Sequence, residues 1–498
     1  MADPTNIPEL KDRIEIPKLV EGATSHYKCH PAKEKHLTPL GFPGSRPDDW
    51  HDIAITRLGE LLKESKSLKV FMDICVKCGA CTDKCHYYLG TKDPKNMPVA
   101  RQDLLRKVYR KYYTLSGKIF GKLAGAEALT EDVLKDWYTY FYQCSECRRC
   151  SVFCPYGIDT AEVTMAAREI MHSIGIGQKY TLEIIDKVET TGNNLGIPEG
   201  ALVGTLEVLE EEIEEETGVK VKIPLDQKGS DILLITPSAD VFSEPHIFSL
   251  MGYAKVFHQA GVSWTLSSYA SEFANFGLFI GGQEHLQKVA QRIADIAREF
   301  KVKRIIVGEC GHAWRVGYSY WNTLIGPFDF LDPDYKTPTH ICEYTNGLIE
   351  QGAIKLDKEA NDEYVVTMHD SCNVARASRM GDKPGGQFDI PRALIDASCN
   401  HHVEMDPNTT KEKTFCCGGG GGLLSEEIID LRVQGAMPRA TSLKQVMDSH
   451  GVNFMAMICA ICKAQFSTVL PYYDIPRDIV GGIHQLVSNA IQLGTNKV

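Results

Sequence analysis

Four short apolar runs punctuate the second half of the chain: DILLIT from Asp231, KRIIVGEC from Lys303, EYVVTMHD from Glu363 and NFMAMIC from Asn453. Helical spacing lies between them, and strands alternating with helices imply βα units and parallel sheets. The first half has a different texture. Apolar positions recur at helical spacing from Ile53 to Leu68, from Arg101 to Tyr113 and from Glu131 to Phe141. The acidic stretch LEVLEEEIEEETG places Leu206, Leu209 and Ile213 on one face, as expected of an amphipathic helix with a solvated opposite side. Residues 1–52, rich in Pro, His and charge, show no sustained period and read as an irregular arm. The pattern predicts an α+β multidomain chain, helical in front and parallel-stranded behind.

At 498 residues two or three domains are expected, and 43% hydrophobic with 24% charged residues is the balance of an ordinary globular protein. The net charge of -11 disfavours nonspecific nucleic-acid binding, which needs clustered Lys and Arg. No run approaches the roughly 18 to 20 apolar residues of a bilayer span, and MADPTNIPELKDRIEIPK has neither an apolar leader core nor twin arginines. A cytoplasmic location is expected, with docking on a membrane partner left open.

Seventeen cysteines change the picture. In a leaderless chain they point to metal or redox chemistry rather than to disulfides. Nine precede residue 155, eight follow residue 309 and none falls between. Cys29, between His26 and His30, has no further ligand in reach and is left out of the site.

The first group holds two C-x-x-C-x-x-C-x-x-x-C blocks: Cys75, Cys78, Cys81, Cys85, and Cys144, Cys147, Cys150, Cys154. Three thiolates two residues apart wrap one 4Fe-4S cluster, while the fourth reaches the other cluster. The expected sets are Cys75, Cys78, Cys81 with Cys154, and Cys144, Cys147, Cys150 with Cys85. Pro155 follows the second block as such motifs require, whereas His86 stands in its place in the first. Zinc ribbons space their C-x-x-C pairs a dozen or more residues apart, which favours iron-sulfur over a structural zinc protein here. Two clusters sharing ligands make a short electron wire, carried on an α-helical ferredoxin-like domain.

The second group comprises Cys372 in HDSCN, Cys416 and Cys417 in FCCGGGGG, and Cys459 and Cys462 in MICAIC. Each follows a β run or sits in a glycine-rich loop, so the five thiols could converge where parallel strands end. Gly418 to Gly422 would let the backbone approach a bulky inorganic group and offer N–H donors to sulfides. The run lacks the Lys-Ser/Thr ending of a phosphate-binding loop. Isolated Cys399 and Cys342 fit the buried, idle thiol reading. His312 and His369 could protonate leaving thiolates, but structural hydrogen bonding at strand ends is the simpler role.

The order Cys, Cys-Cys-Gly, C-x-x-C resembles the CCG domain of heterodisulfide reductases and of glycolate and glycerol-3-phosphate oxidoreductase iron-sulfur subunits. With HDSCN, FCCGGGGG and MICAICKAQF, the chain resembles most closely the DsrK-type, heterodisulfide-reductase-like subunits of the membrane complex associated with dissimilatory sulfite reduction. That resemblance implies a special CCG-bound 4Fe-4S cluster at which a disulfide is split, held by Cys372, Cys416, Cys417, Cys459 and Cys462. Such enzymes often carry two complete CCG repeats; here the first keeps only Cys310, with Ala313 where the second C-x-x-C cysteine belongs. One special cluster is expected, with Cys310 either an added ligand or a thiol facing substrate.

The resulting organisation is an arm at 1–52, a ferredoxin-like domain at 53–180, a helical linker at 181–228 and a CCG domain at 229–498. Within the last, a degenerate repeat covers 229–350 and a complete one 360–498. The resemblance implies partners too: an integral-membrane cytochrome b subunit (DsrM-like) supplying quinol-derived electrons, and a DsrC-like sulfur-carrier protein whose disulfide or trisulfide is the substrate. The competing expectations are an iron-sulfur subunit of a glycolate, lactate or glycerol-3-phosphate oxidoreductase and a plain electron-transfer module.

Overall fold

The computed structural model describes residues 46–270, 272, 276–335 and 337–493. The arm expected before the first helix lies largely outside the described residues, as does Cys29.

The front of the molecule is all helix. The helical pattern from Ile53 to Leu68 forms two helices rather than one, Trp50–Glu64 and Lys66–Ile74. The break falls at Ser65, which is extended and whose Oγ accepts from the backbone N of Leu68 at 3.3 Å, capping the second helix. A capping side chain overrides the continuing period. Helix Pro98–Tyr113 begins on its proline, where the missing N–H costs nothing, and helix Glu131–Tyr142 is capped by Thr130. These pack with Thr160–Ser173 around Leu58, Leu105, Trp137, Phe141 and Ile170. Helix Glu199–Thr217 buries Leu202, Leu206, Leu209 and Ile213 as its spacing predicts.

Behind lie two parallel sheets. In the first, order β2-β1-β3-β4, the strands are β1 Ile232–Ile235, β2 Trp264–Thr265, β3 Arg304–Val307 and β4 Thr339–His340. In the second, order β5-β6-β7, they are β5 Val366–His369, β6 Phe454–Met457 and β7 Val480–Gly482. β1, β5 and β6 are buried along their whole length, which is why they read as unbroken apolar runs rather than alternations. The fold class is the expected one: an α+β chain, helical ferredoxin-like in front, with pseudo-repeated βα units behind.

The two sheets are joined by helices Ile247–Ala260 and Ile483–Ala490, which pack on each other. A buried ionic cluster also crosses the join. Lys463 Nζ lies 3.1 Å from Glu309 Oε2 and 3.8 Å from Asp240 Oδ1, and Glu309 Oε1 accepts from the backbone N of His484 at 2.8 Å. The helical front docks on the second sheet through helix His86–Thr91, which lies along Ile429–His450. There the Tyr87 hydroxyl donates to the Gly418 carbonyl, and His86 Nδ1 is 2.8 Å from the carbonyl of Gly435.

Candidate iron-sulfur centres

Three groups of thiols form a continuous path. In the first, Cys75, Cys78, Cys81 and Cys154 line one pocket, floored by Gln102 and Thr160, with Cys150 at its inner edge. The loop is held by Arg106, whose Nη1 donates to the Cys75 carbonyl at 2.7 Å. Cys78 is exposed, so this group is the outermost of the three.

In the second, Cys85, Cys144 and Cys150 gather around the buried guanidinium of Arg101, which hydrogen-bonds Cys85. Nε of Arg101 is fixed by the Tyr140 carbonyl at 2.7 Å and Nη2 by Asn96 Oδ1 at 2.9 Å. Burial opposes the Arg101 charge, and the sulfurs of Cys144 and Cys85 more than offset it, holding the pKa above its ordinary value. Cys150 also interacts with Cys81, so this group adjoins the first. Cys147 reaches both ways, interacting with Cys150 of this group as well. Its thiol faces Cys416, across the boundary with the CCG region.

In the third, Cys372 Sγ lies 4.0 Å from Cys416 Sγ, Cys417 contacts Cys462, and Cys459 contacts Cys462. The five thiols of HDSCN, FCCGGGGG and MICAIC therefore meet, all buried, at the carboxyl ends of β5 and β6. Cys310, after β3, interacts with Cys459, and its own Sγ accepts from the backbone N of Ala313 at 3.4 Å. Cys342 sits elsewhere, buried beside Glu309 and Lys463, and Cys399 lies apart from all three groups, its thiol 3.6 Å from the Ser398 hydroxyl.

The donor chemistry fits iron-sulfur clusters. Every group is thiol-rich, and in the third the backbone N–H of Gly418 points at Cys416 Sγ and that of Gly419 at Cys417 Sγ, both at 3.4 Å. Such N–H donors favour thiolate and cluster sulfur. Buried His312 adds an orphan: Nδ1 lies 3.6 Å from Cys459 Sγ, while Nε2 has no hydrogen-bond partner. His369 departs from the hydrogen-bonding role expected for it. Neither ring nitrogen is hydrogen-bonded among the described residues, the ring stands edge-on to Phe466, and burial pushes its pKa down to about 3.

The glycine run does more than approach a cofactor. A Cβ on Gly421, whose φ is +68°, would lie 2.6 Å from the Cys144 carbonyl oxygen, so the run is cut to fit the second thiol loop. Arg168 clamps that contact. Fully buried, it donates to the carbonyls of Phe141 and Cys144 (each 2.7 Å), Gly421 (3.0 Å) and Phe279 (2.9 Å), and lies 3.0 Å from Glu146 Oε1. Burial pushes the Glu146 carboxyl up against the pull of Arg168 and Arg315. Sequence reasoning missed Arg101, Arg168 and Glu146, since nothing in their local pattern marks them as buried.

Two family models match: a 4Fe-4S dicluster domain over residues 71–158 and a cysteine-rich domain, CCG, over residues 366–467. The chain is 42% identical over 475 residues to an Hdr-like menaquinol oxidoreductase iron-sulfur subunit 2 of Archaeoglobus fulgidus, covering 89% of this chain and 84% of that one. It is 41% identical to the Hdr-like menaquinol oxidoreductase iron-sulfur subunit of Archaeoglobus profundus, over 90% of this chain and 84% of that protein. A more distant relative is a dihydromethanophenazine:CoB-CoM heterodisulfide reductase subunit of Methanosarcina barkeri, at 24% identity over 85% of this chain and 95% of that one.

Proposed function

The chain belongs to the Hdr-like menaquinol oxidoreductase iron-sulfur subunits, and from that premise we propose that it carries quinol-derived electrons from an integral-membrane cytochrome b partner to a disulfide-reducing CCG site. Bound clusters would supply one-electron relay chemistry at the two ferredoxin-type sites and thiol-reactive redox chemistry at the third. Cys75, Cys78, Cys81 and Cys154 would hold the first cluster, and Cys144, Cys147, Cys150 and Cys85 the second. Cys372, Cys416, Cys417, Cys459 and Cys462 would hold the third, with Cys310 beside it.

One observation carries this reading: the thiol groups adjoin in sequence, Cys81 to Cys150 and Cys147 to Cys416, from an exposed end to a buried one. The chain's own groups prepare that path. Arg101 offsets negative charge at the second site, the Gly418 and Gly419 N–H groups hold Cys416 and Cys417, and His312 braces Cys459. Cleaving a disulfide takes two electrons and two protons and yields two thiols, so a site fed one electron at a time must retain the half-reduced state. The finer assignment is a DsrK-type subunit, peripheral on the cytoplasmic face of the membrane, acting on a DsrC-like sulfur carrier. It is supported by HDSCN, FCCGGGGG and MICAICKAQF. No helix among the described residues is long and apolar enough to cross a membrane, in keeping with a peripheral place.

The test is Cys417→Ser in anaerobically purified protein, with iron and sulfide quantified and EPR recorded with and without an oxidised sulfur-carrier protein. The expected result is loss of about a third of the iron and of any substrate-linked signal, with both ferredoxin-type signals retained. Loss of the ferredoxin-type signals with the third retained would overturn the assignment.

A further inference from the structure

Between the helices Pro98–Tyr113 and Glu131–Tyr142 the chain makes a projecting arch: helix Leu115–Phe120, then a short turn of 3-10 helix over Gly121–Ala124. Its outer edge is apolar. Leu115 is 76% exposed, Ile119 65%, Phe120 61% and Leu123 93%, four of the five most exposed large apolar side chains among the described residues. Leu115 and Ile119 stand one helical turn apart, and Phe120 and Leu123, on either side of the Gly121 turn, extend the exposed apolar stripe along the same short segment. Scattered single apolar residues need no explanation, but a contiguous stripe does.

The arch is built rather than frayed. Thr114 caps its helix, its Oγ1 accepting from the backbone N of Gly117 at 3.1 Å. Gly117 itself packs so tightly that a Cβ would lie 1.9 Å from the Arg110 carbonyl oxygen. Arg110 Nη1 in turn donates to the Ala124 carbonyl at 3.2 Å. The same segment is strongly basic. Residues 106–125 contain six basic residues and no acidic one, within a chain whose net charge is -11; Arg106 is buried and Lys107 pairs with Glu127 at 3.2 Å, so the arch's own exposed cations are Lys118 and Lys122. Lys118 and Lys122 flank the stripe, exposed and without an ion pair among the described residues.

We propose that the arch at residues 114–125 seats this subunit on an anionic lipid bilayer, the stripe Leu115, Ile119, Phe120 and Leu123 entering the headgroup region and Lys118 and Lys122 meeting lipid phosphates. An apolar edge with a basic rim is the pattern of an interfacial element, and charge complementarity singles out anionic lipid over a neutral surface. The location adds purpose. Leu123 and Ala124 line one cleft with Met72 and Asp73, immediately before Cys75, so seating the arch brings the outermost thiol group to the membrane. The proposal goes beyond the electron-transfer reading and does not depend on its substrate.

The experiment is flotation of the cluster-loaded full chain with vesicles of 70% phosphatidylcholine and 30% phosphatidylglycerol, against pure phosphatidylcholine vesicles. The expected result is co-flotation with the anionic vesicles only, weakened at least tenfold in 0.5 M salt and at least tenfold by Ile119→Asp with Leu123→Asp. Lys118→Glu with Lys122→Glu, which leaves the apolar edge intact, should weaken it similarly. Visible absorption of the clusters checks that each variant is folded. Equal binding to neutral vesicles, binding unaffected by either variant pair, or no binding at all overturns the proposal. The last result would assign the stripe to a protein partner or to the first 45 residues of the chain.

Discussion

Replacing Arg168 by Met tests whether the ferredoxin-like front and the CCG region are held together by one buried cation. The guanidinium makes five hydrogen bonds to four carbonyls contributed by Phe141, Cys144, Phe279 and Gly421. Methionine keeps the reach and loses all of them. It also leaves Glu146, fully buried, with only Arg315 at 3.8 Å as a near cation. Removing one member of a buried pair costs about 3–5 kcal/mol. At about 1.4 kcal/mol per factor of ten, that raises local opening of the contact by roughly two to three and a half orders of magnitude. Hydrogen exchange of the anaerobic, cluster-loaded protein, read by mass spectrometry over residues 141–148 and 417–423, measures it directly. Adding Glu146→Gln to the variant should recover part of the loss, because the stranded carboxylate is gone, so the two changes should not be additive. Exchange in Arg168→Met within about threefold of the parent, or strict additivity with Glu146→Gln, would refute the clamp.

Three further outcomes follow from the same geometry. Gly421→Ala should loosen the same contact by a different route, adding about 1–2 kcal/mol of left-handed backbone strain to the collision with Cys144, and should speed cluster loss on warming, followed by visible absorption. Asp370 is pushed up by burial but held below the ordinary carboxylate range by hydrogen bonds from Arg392 at 2.8 and 3.0 Å. Its stabilisation is therefore fully present above the unfolded value of about 3.9 and lost as pH falls through the lower folded value. In urea unfolding, the deficit of Asp370→Asn should be constant from pH 8 to pH 5 and shrink below about pH 4; a deficit that changes between pH 8 and pH 5 would contradict this. Finally, Cys342→Ser should leave iron content unchanged while costing about 1–2 kcal/mol of stability, whereas Cys310→Ser should alter the spectrum of the CCG site.

Cysteine spacing and apolar runs were legible because they act locally. Three thiols two residues apart can wrap only one object, and DILLIT, EYVVTMHD and NFMAMIC can be buried on both faces only inside parallel sheets. The break at Ser65 was hidden by a period that runs through it, since a cap competes with helix geometry without altering apolar spacing. The buried arginines were hidden for a deeper reason. Arg101 and Arg168 lie in polar-looking helix positions, and only thiols and carbonyls converging from distant parts of the chain make burial tolerable. The same holds for Gly421, which reads as part of a cofactor loop until the Cys144 carbonyl, far away in sequence, is set against it. His369 shows the limit of local chemistry as a guide: a strand-end histidine had every reason to be hydrogen-bonded, and it is packed against Phe466 instead.

The β1–β4 unit poses a physical question: what does a βα unit that brings a single thiol, Cys310, to the CCG cysteines contribute to them? Lys463 supplies an answer. It directly follows Cys462 on the helix Ala460–Val469 and is fully buried, so its ammonium needs counter-charge. Burial pushes its pKa down, and Glu309 and Asp240, both from the first repeat, more than offset that. The cluster is also near balance. Glu309 is held well below the ordinary carboxylate range against its burial by Lys463 and His484, while burial raises Asp240 to about 7 despite the same lysine, so one cation serves one full carboxylate and one that readily stays protonated. Removing the first repeat would leave a bare ammonium one residue from a candidate cluster ligand, at a cost of several kcal/mol. The end of β3 therefore carries Glu309 beside Cys310: the charge that holds the helix after β6, next to a thiol that interacts with Cys459.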